Sequence, residues 1–348
     1  MQDASPENSE RKALFEQFLK QNGYKLSDLV ALKGDASRRR FYRHTHNKKS
    51  VIIIDANPDT GEEPNAYAAV TLLLEKHHFS VPSIHASNTQ NGFFIVEDFG
   101  DTLYATAINN ATADQNVLYK NALDLLVSLQ AIHIDPVLSY GDGTYKLQDY
   151  DINRLISEIK IFTDWYFPEI TKRPTPSAAK NELNTIFRGL LLPVIHESSC
   201  LVLRDYHGEN LMVLEDRTAL QSVGLLDYQD AVIGNRAYDV VSLLQDARRD
   251  IAPEFEKSML DYYLSTVNLD NPNDFMRDYY ILGAQRSLKI LGIFTRLWIR
   301  DNKEHYLPHM QRVWQYLERD LAQPQLKPLK DWFDRWLPAS LRFEIKVA

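Results

Sequence analysis

The spacing of apolar residues changes character near residue 100. Before it, apolar residues come in short runs. They predict strands over 29–32, 51–54 (VIII) and 93–96 (FFIV), with a charged segment over 38–44 between the first two. Two helices accompany them. One starts from a Ser9 cap, carries Leu14, Phe15, Phe18 and Leu19, and stops at Gly23; the other, over 62–78, sets Ala66, Val70, Leu73 and Leu74 on one side. After residue 100 the period lengthens to that of a helix. Leu118, Ala122, Leu125, Leu126, Leu129 and Ile132 mark a helix over 113–132, and Leu183, Ile186, Phe187, Leu190, Leu191 and Val194 mark another over 177–195. From Tyr238 onward the pattern is helical, punctuated by Pro253, Pro272, Pro308, Pro324, Pro328 and Pro338. The one hairpin expected in this second part occupies 201–231. The pattern therefore predicts an α+β chain with a small strand-rich lobe over 1–99, a junction near 97–102 and a large helical lobe over 100–348.

Composition narrows the partners more than the fold. The 348 residues carry a net charge of -8, which argues against nucleic acid, since duplex binding needs a Lys/Arg excess. Cys200 is the one cysteine, so neither a disulfide framework within the chain nor a Cys-based zinc site is possible. The segment MQDASPENSE lacks the features of a signal peptide, and the longest uncharged apolar run, 190–195, is too short to span a bilayer. The expectation is a cytoplasmic protein with no membrane partner; oligomeric state is not legible. Four tryptophans beyond residue 297 (Trp298, Trp314, Trp332, Trp336) sit at helix-packing spacing and read as core rather than as a sugar-stacking surface. The amphipathic tail KPLKDWFDRWLP docks either on the body of the protein or on a partner.

Chemistry concentrates in LVLRDYHGENLMVLEDRTALQSVGLLDYQDA, residues 201–231. Asp205 follows the first apolar run, Asn210 immediately precedes LMVL, and a turn at 215–217 returns the chain through VGLL to Asp227. A hairpin places Asn210 and Asp227 near one end, with Asp205 beside them. Two oxygen ligands suit Mg²⁺, which takes few protein oxygens and keeps substrate phosphates in its shell. The third group, the Asp205 carboxylate, can accept a hydroxyl proton. Together these are the parts for phosphoryl transfer from a nucleotide. Asp and Asn are also common turn residues for local hydrogen-bonding reasons; the joint pattern D-x-x-x-x-N, strand, turn, strand, D is the more specific signal.

RDYHGEN resembles the catalytic loop of the protein-kinase-like fold, and LLDYQD resembles its metal-binding segment. The wording is closest to the aminoglycoside phosphotransferase-like family, which phosphorylates small molecules. Within it, LRDYH-x-x-NL followed by GLLDYQDAVIGNRAYDVVSLLQDAR looks like the bacterial anomeric sugar kinases of N-acetylmuramate and N-acetylglucosamine. The resemblance covers about Lys33 to Trp314. It implies a bilobal protein-kinase-like fold and ATP- and Mg²⁺-dependent transfer to a sugar hydroxyl in cell-wall recycling. Asp205 then matches the catalytic base, Asn210 and Asp227 the Mg²⁺ ligands, and Asp239 an aspartate that holds the catalytic loop. As a helix N-terminal acid, Asp239 is also favourable with the helix dipole. KGDASRRRFYRH (33–44) resembles the nucleotide loop. Gly34 and Ser37 would approach phosphate, and strand alternation puts Arg39, Phe41 and Arg43 on one face, Phe41 covering adenine while an Arg meets phosphate. The adenine edge would bond to backbone around Glu97, Asp98 and Phe99.

Two departures stand out. The fold usually carries a Lys in its third strand, where VIIIDA offers Ile54 and Asp55; either an Arg from 38–43 substitutes or phosphate gripping is weaker. Leu203 replaces the usual loop His, and a His follows the Asp at His207. Candidate sugar contacts are Tyr206, His207, Gln229, Asp230 and Arg248. The alternatives are a kinase for another small alcohol (choline, homoserine or aminoglycoside type) and a nucleotide-binding module without turnover, for which the missing Lys argues and the intact Asp205, Asn210 and Asp227 argue against.

Overall fold

The computed structural model describes residues 6–32, 38–196 and 199–342. Gly34 and Ser37 lie outside these described residues. The chain divides into two compact units, each assembled from separate stretches: residues 1–112, 135–147 and 209–231 form unit one; residues 113–134, 148–208 and 232–348 form unit two. The expected lobes, by contrast, are single stretches.

Unit one is built on an antiparallel sheet of β1 (Val30–Leu32), β2 (Arg40–His46), β3 (Lys49–Asp55), β4 (Ile84–Asn88) and β5 (Phe93–Glu97), in the order β1-β2-β3-β5-β4. The apolar runs VIII and FFIV become two of the three inner strands, with Ile53 opposite Ile95 and Ile54 opposite Phe94. Side chains alternate between faces. Ile53, Phe93 and Ile95 meet Phe15, Phe18 and Leu19 of the helix Pro6–Gln21. Phe94 meets Tyr67 of the helix Pro64–Lys76, ring centroids 4.9 Å apart. Asp55, which occupies the end of the third strand in place of a lysine, is buried and ion-paired with Arg11 and Arg40. That end of the strand therefore ties the first helix to the sheet instead of presenting a cation.

A hairpin of Val137–Tyr140 and Gly143–Lys146 also belongs to unit one and packs on the helix Pro64–Lys76. The apolar pattern does not predict it, because strands of four residues carry too few alternations. The local signal was the Gly141–Asp142 turn, whose glycine has φ 48°.

Unit two is helical apart from a small sheet of Gln148–Asp149, Val232–Gly234 and Cys200–Val202. Its spine is the helix Pro272–Asp301, against which Ile152–Ile161, Ala237–Leu244 and Leu307–Leu321 pack. Gly292 lets the spine approach closely, since a Cβ there would lie 2.6 Å from the backbone of Ile161 and Phe162. The helix Lys327–Trp336 docks on this body: Trp332 and Phe333 are buried, and the Trp332 indole donates to the Ala179 carbonyl at 3.0 Å. Trp314 is likewise core. No helix among the described residues is long and apolar enough to cross a membrane.

Candidate active site

In unit one the expected ribbon forms. Leu211–Val213 pairs antiparallel with Val223–Leu225, Leu211 opposite Leu225, and the Leu226 N–H donates to the Asn210 carbonyl at 2.9 Å. This register brings Asn210 and Asp227 to the same open end. The ribbon is fixed by backbone bonds from Leu225 to Ser80 and from Val213 to Thr102, each 2.8 Å. Gly224 is needed because Met212 Cβ and the Phe99 ring would each lie 2.9 Å from a Cβ there. Asp227 itself has φ 56°, a left-handed conformation that side chains rarely adopt and that tends to persist at functional positions.

Asp227 is held by neighbouring side chains. Its Oδ1 accepts from the Gln229 amide at 3.0 Å and from the Arg39 guanidinium. Arg39 also donates to Gln229 Oε1 at 2.8 Å and pairs with Glu62 at 3.4 Å, and it lies 5.6 Å from the Phe41 ring. Burial works against its charge, but Asp227, Glu62 and Asp230 outweigh that cost and raise the pKa above the ordinary value. The Arg39 guanidinium, immediately before β2, thus reaches the two carboxylates Glu62 and Asp227. In kinases the third-strand lysine keeps a comparable ion pair with a helix glutamate. Glu62 carried no sequence signal beyond its place just before a helix.

Arg43 takes a different course from the one expected. It pairs with Asp98 at 2.7 Å and Asp101 at 2.9 Å and donates to the Gly100 carbonyl, so it braces the 98–101 turn rather than facing phosphate alongside Arg39. The Glu97 carboxylate pairs with Arg217, and the Glu97 N–H is bonded to the Ser83 carbonyl, which removes that donor from those expected to meet adenine. Phe99 packs on Gly224 beneath the Arg217 guanidinium. Gln229 is buried and bonds to both Asp227 and Arg39, so it supports that pair; Asp230 is exposed.

In unit two the strand Cys200–Val202 leads into the loop that carries Asp205. Asp239, 1% exposed at the start of the helix Ala237–Leu244, accepts from the N–H groups of Leu203 (2.7 Å) and Arg204 (2.9 Å). Burial pushes its carboxyl up to about 7 against the pull of those two amides. Arg204 has φ 71° and pairs at 2.7 Å with Glu158, which also meets Lys289 at 3.1 Å and the Tyr150 hydroxyl at 2.5 Å. Burial raises the Glu158 pKa, but Lys289 and Arg204 overcome it and keep the carboxylate below its ordinary value. Neither Glu158 nor Lys289 was legible as part of this support. Asp205 is half-buried. Tyr206 is buried, its hydroxyl donating to the Ala122 carbonyl at 2.7 Å, so it anchors the loop. His207 is also buried and lies 3.3 Å from the guanidinium of Arg248.

No cluster of three or more His, Cys, Asp or Glu that could hold a metal occurs among the described residues. The pair at the ribbon end offers a carboxylate and a carboxamide. Two hard oxygen donors fit Mg²⁺, whose remaining positions are filled by water and phosphate.

Residues 28–275 match the phosphotransferase enzyme family. The chain is 34% identical over 361 aligned residues to the N-acetylmuramate/N-acetylglucosamine kinase of Caulobacter vibrioides, covering 96% of this chain and 99% of that protein. It is 30% identical over 310 residues to the N-acetylmuramate/N-acetylglucosamine kinase of Pseudomonas aeruginosa, covering 87% of each. Its fold is similar to that of the ADP-bound aminoglycoside phosphotransferase APH(2'')-Ib, with a TM-score of 0.54 and 15% identity over 88% of this chain and 98% of that one.

Proposed function

The chain belongs to the phosphotransferase enzyme family and is a small-molecule kinase, and from that premise we propose that it transfers the γ-phosphate of ATP to the anomeric hydroxyl of N-acetylmuramate and N-acetylglucosamine, a step in cell-wall recycling. The observation that carries the acceptor is the full-length similarity to kinases of those two sugars. An adenine nucleotide is supported by the ADP-bound relative in fold.

Each residue has a role in this reading. Asp205 orients the sugar hydroxyl and accepts its proton as the oxygen attacks phosphorus and the bond to the leaving ADP oxygen breaks. An anomeric hydroxyl is more acidic than an ordinary alcohol, so little basicity is asked of the carboxylate. Asn210 and Asp227 would hold Mg²⁺, which when bound neutralises charge on the nucleotide phosphates. Arg39 supplies the fixed positive charge to phosphate that a third-strand lysine supplies elsewhere in the fold, and Glu62 orients it. Gly34 and Ser37 would also meet phosphate. Phe41 covers adenine, and the backbone near Asp98 and Phe99 meets its edge. Asp239 keeps the catalytic loop in place through two amides.

The test is ADP release and sugar-phosphate formation with a panel of acceptors (N-acetylmuramate, N-acetylglucosamine, choline, homoserine, an aminoglycoside) for the wild type and Asp205→Asn. The expected result is turnover of the two amino sugars and a loss of about 10²–10⁴-fold in the variant. Turnover of another acceptor in their place, or an unimpaired variant, would overturn the reading.

A further inference from the structure

The residue directly before Asp205 has a strained backbone. Arg204 has φ 71°, and the Asp205 N–H donates back to the Leu203 carbonyl at 2.9 Å. A bond that spans two residues about a positive φ makes a γ-turn of the rarer, strained hand. Such a turn persists only where its surroundings hold it. We propose that Glu158 is a positioning residue for Asp205, acting through the side chain of Arg204. This role rests on the reading above only in so far as Asp205 serves phosphoryl transfer.

Arg204 is gripped at three points, all within unit two. Its N–H donates to Asp239 at 2.9 Å, and its carbonyl accepts from the Ser242 hydroxyl at 3.1 Å. Ser242 in turn accepts from Arg286 at 2.8 Å, which leaves its one hydroxyl proton for the Arg204 carbonyl. Both of these grips come from the helix Ala237–Leu244 and act on the backbone, so they serve any residue at 204. The third grip is specific to the arginine: its Nη2 donates to Glu158 Oε1 at 2.7 Å.

Glu158 is itself fixed at both oxygens. Oε1 also meets Lys289 Nζ at 3.1 Å, and Oε2 accepts from the Tyr150 hydroxyl at 2.5 Å and the Gln285 amide at 3.0 Å. Glu158 stands on the helix Ile152–Ile161 and Lys289 on the spine helix, each three residues before the close approach of Ile161 to Gly292. The turn before Asp205 is thereby referenced to a crossing of two helices whose backbones nearly touch. The side chains of Glu158, Arg204 and Lys289 are 9%, 12% and 12% exposed, so solvent and salt screen their attraction little. One carboxylate serves two cations. Removing Arg204 leaves a balanced pair, whereas removing Glu158 leaves two buried positive charges.

The test measures kcat and both KM values for the wild type, Arg204→Gly, Arg204→Lys, Glu158→Gln, the double variant of Arg204→Gly with Glu158→Gln, and Asp205→Asn, with whichever acceptor the wild type turns over. Arg204→Gly is the variant expected to keep its fold, because glycine adopts a positive φ without strain and Glu158 retains Lys289. Its kcat should fall about ten- to hundred-fold, with both KM values within about two-fold of the wild type. Arg204→Lys should recover part of kcat, and the double variant should lose no more than the weaker single one, since both changes cut one tether. An Arg204→Gly enzyme with the kcat of the wild type overturns the proposal, because the backbone grips then suffice. So does a rise in either KM that accounts for the loss, or a double variant whose losses multiply. Asp205→Asn separates the two failures. Unimpaired, it overturns the functional reading and the positioning role together; impaired beside an unimpaired Arg204→Gly, it leaves the functional reading standing and overturns the positioning role alone.

Discussion

Arg39 and Arg43 are four residues apart, carry the same charge and have opposite fates. Arg43 is captured by Asp98 and Asp101, whereas Arg39 is captured by Glu62 and Asp227. The sequence marks both as phosphate candidates, because their partners lie 23 to 188 residues away along the chain and no local rule selects between them. The meeting of Asn210 and Asp227 at one ribbon end was legible because it is a short-range property of one hairpin. Arg39→Met should raise the ATP KM about ten-fold or more, with Arg39→Lys less affected, as initial rates against ATP concentration would show; an unmoved ATP KM would remove the cation role. His207 gives a pH signature of its own. Its folded pKa is depressed below the unfolded value near 6.5 by burial and then by Arg248. On acidification the unfolded chain takes up the proton first, so the stability tied to the neutral ring is present above about 6.5 and is lost as pH falls toward the folded value. Thermal unfolding followed from about pH 7.5 to pH 5 should therefore show a steeper acid decline in the wild type than in His207→Gln; parallel profiles would contradict the depressed pKa.

Elements were readable where they were long. The helices expected over 62–78, 113–132 and 177–195 appear as Pro64–Lys76, Gln115–Gln130 and Ser177–His196. Each has a wide apolar face, and burial of that face confirms the period. The strands of two to four residues in 137–149 and 232–234 were not readable, because pairing and not pattern defines them. The crossing at Gly292 depends on one hydrogen in place of a methyl. A Cβ there meets backbone of Ile161 and Phe162, not a side chain that can turn aside. Gly292→Ala should cost about 1–3 kcal/mol despite the better helix propensity of alanine. Urea denaturation measures it, and an unchanged midpoint would mean that the spine helix shifts without penalty.

At the scale of the whole molecule, the fold class followed from the change of period near residue 100, but the composition of the units did not. A hydrophobic pattern reports which residues are buried, not which distant stretch buries them. The ribbon 209–231 belongs to unit one: its Tyr228 stacks on Tyr67 and shares a hydrogen bond with Thr71, and Leu225 bonds to Ser80. Asp205 belongs to unit two, and the chain passes from one unit to the other between Gly208 and Glu209, inside the motif D-x-x-x-x-N. This threading has a temporal meaning during synthesis. A ribosome finishes the five strands of the sheet early, yet the surface of Tyr67 and Ser80 that the ribbon will cover stays open until residues 113–231 have been added. At typical translation speeds that interval is on the order of ten seconds, long enough for a nascent sheet to need a chaperone or a low local concentration of its neighbours. The segment that ends the wait also carries Asn210 and Asp227, the proposed metal ligands, so unit one is completed only when they arrive.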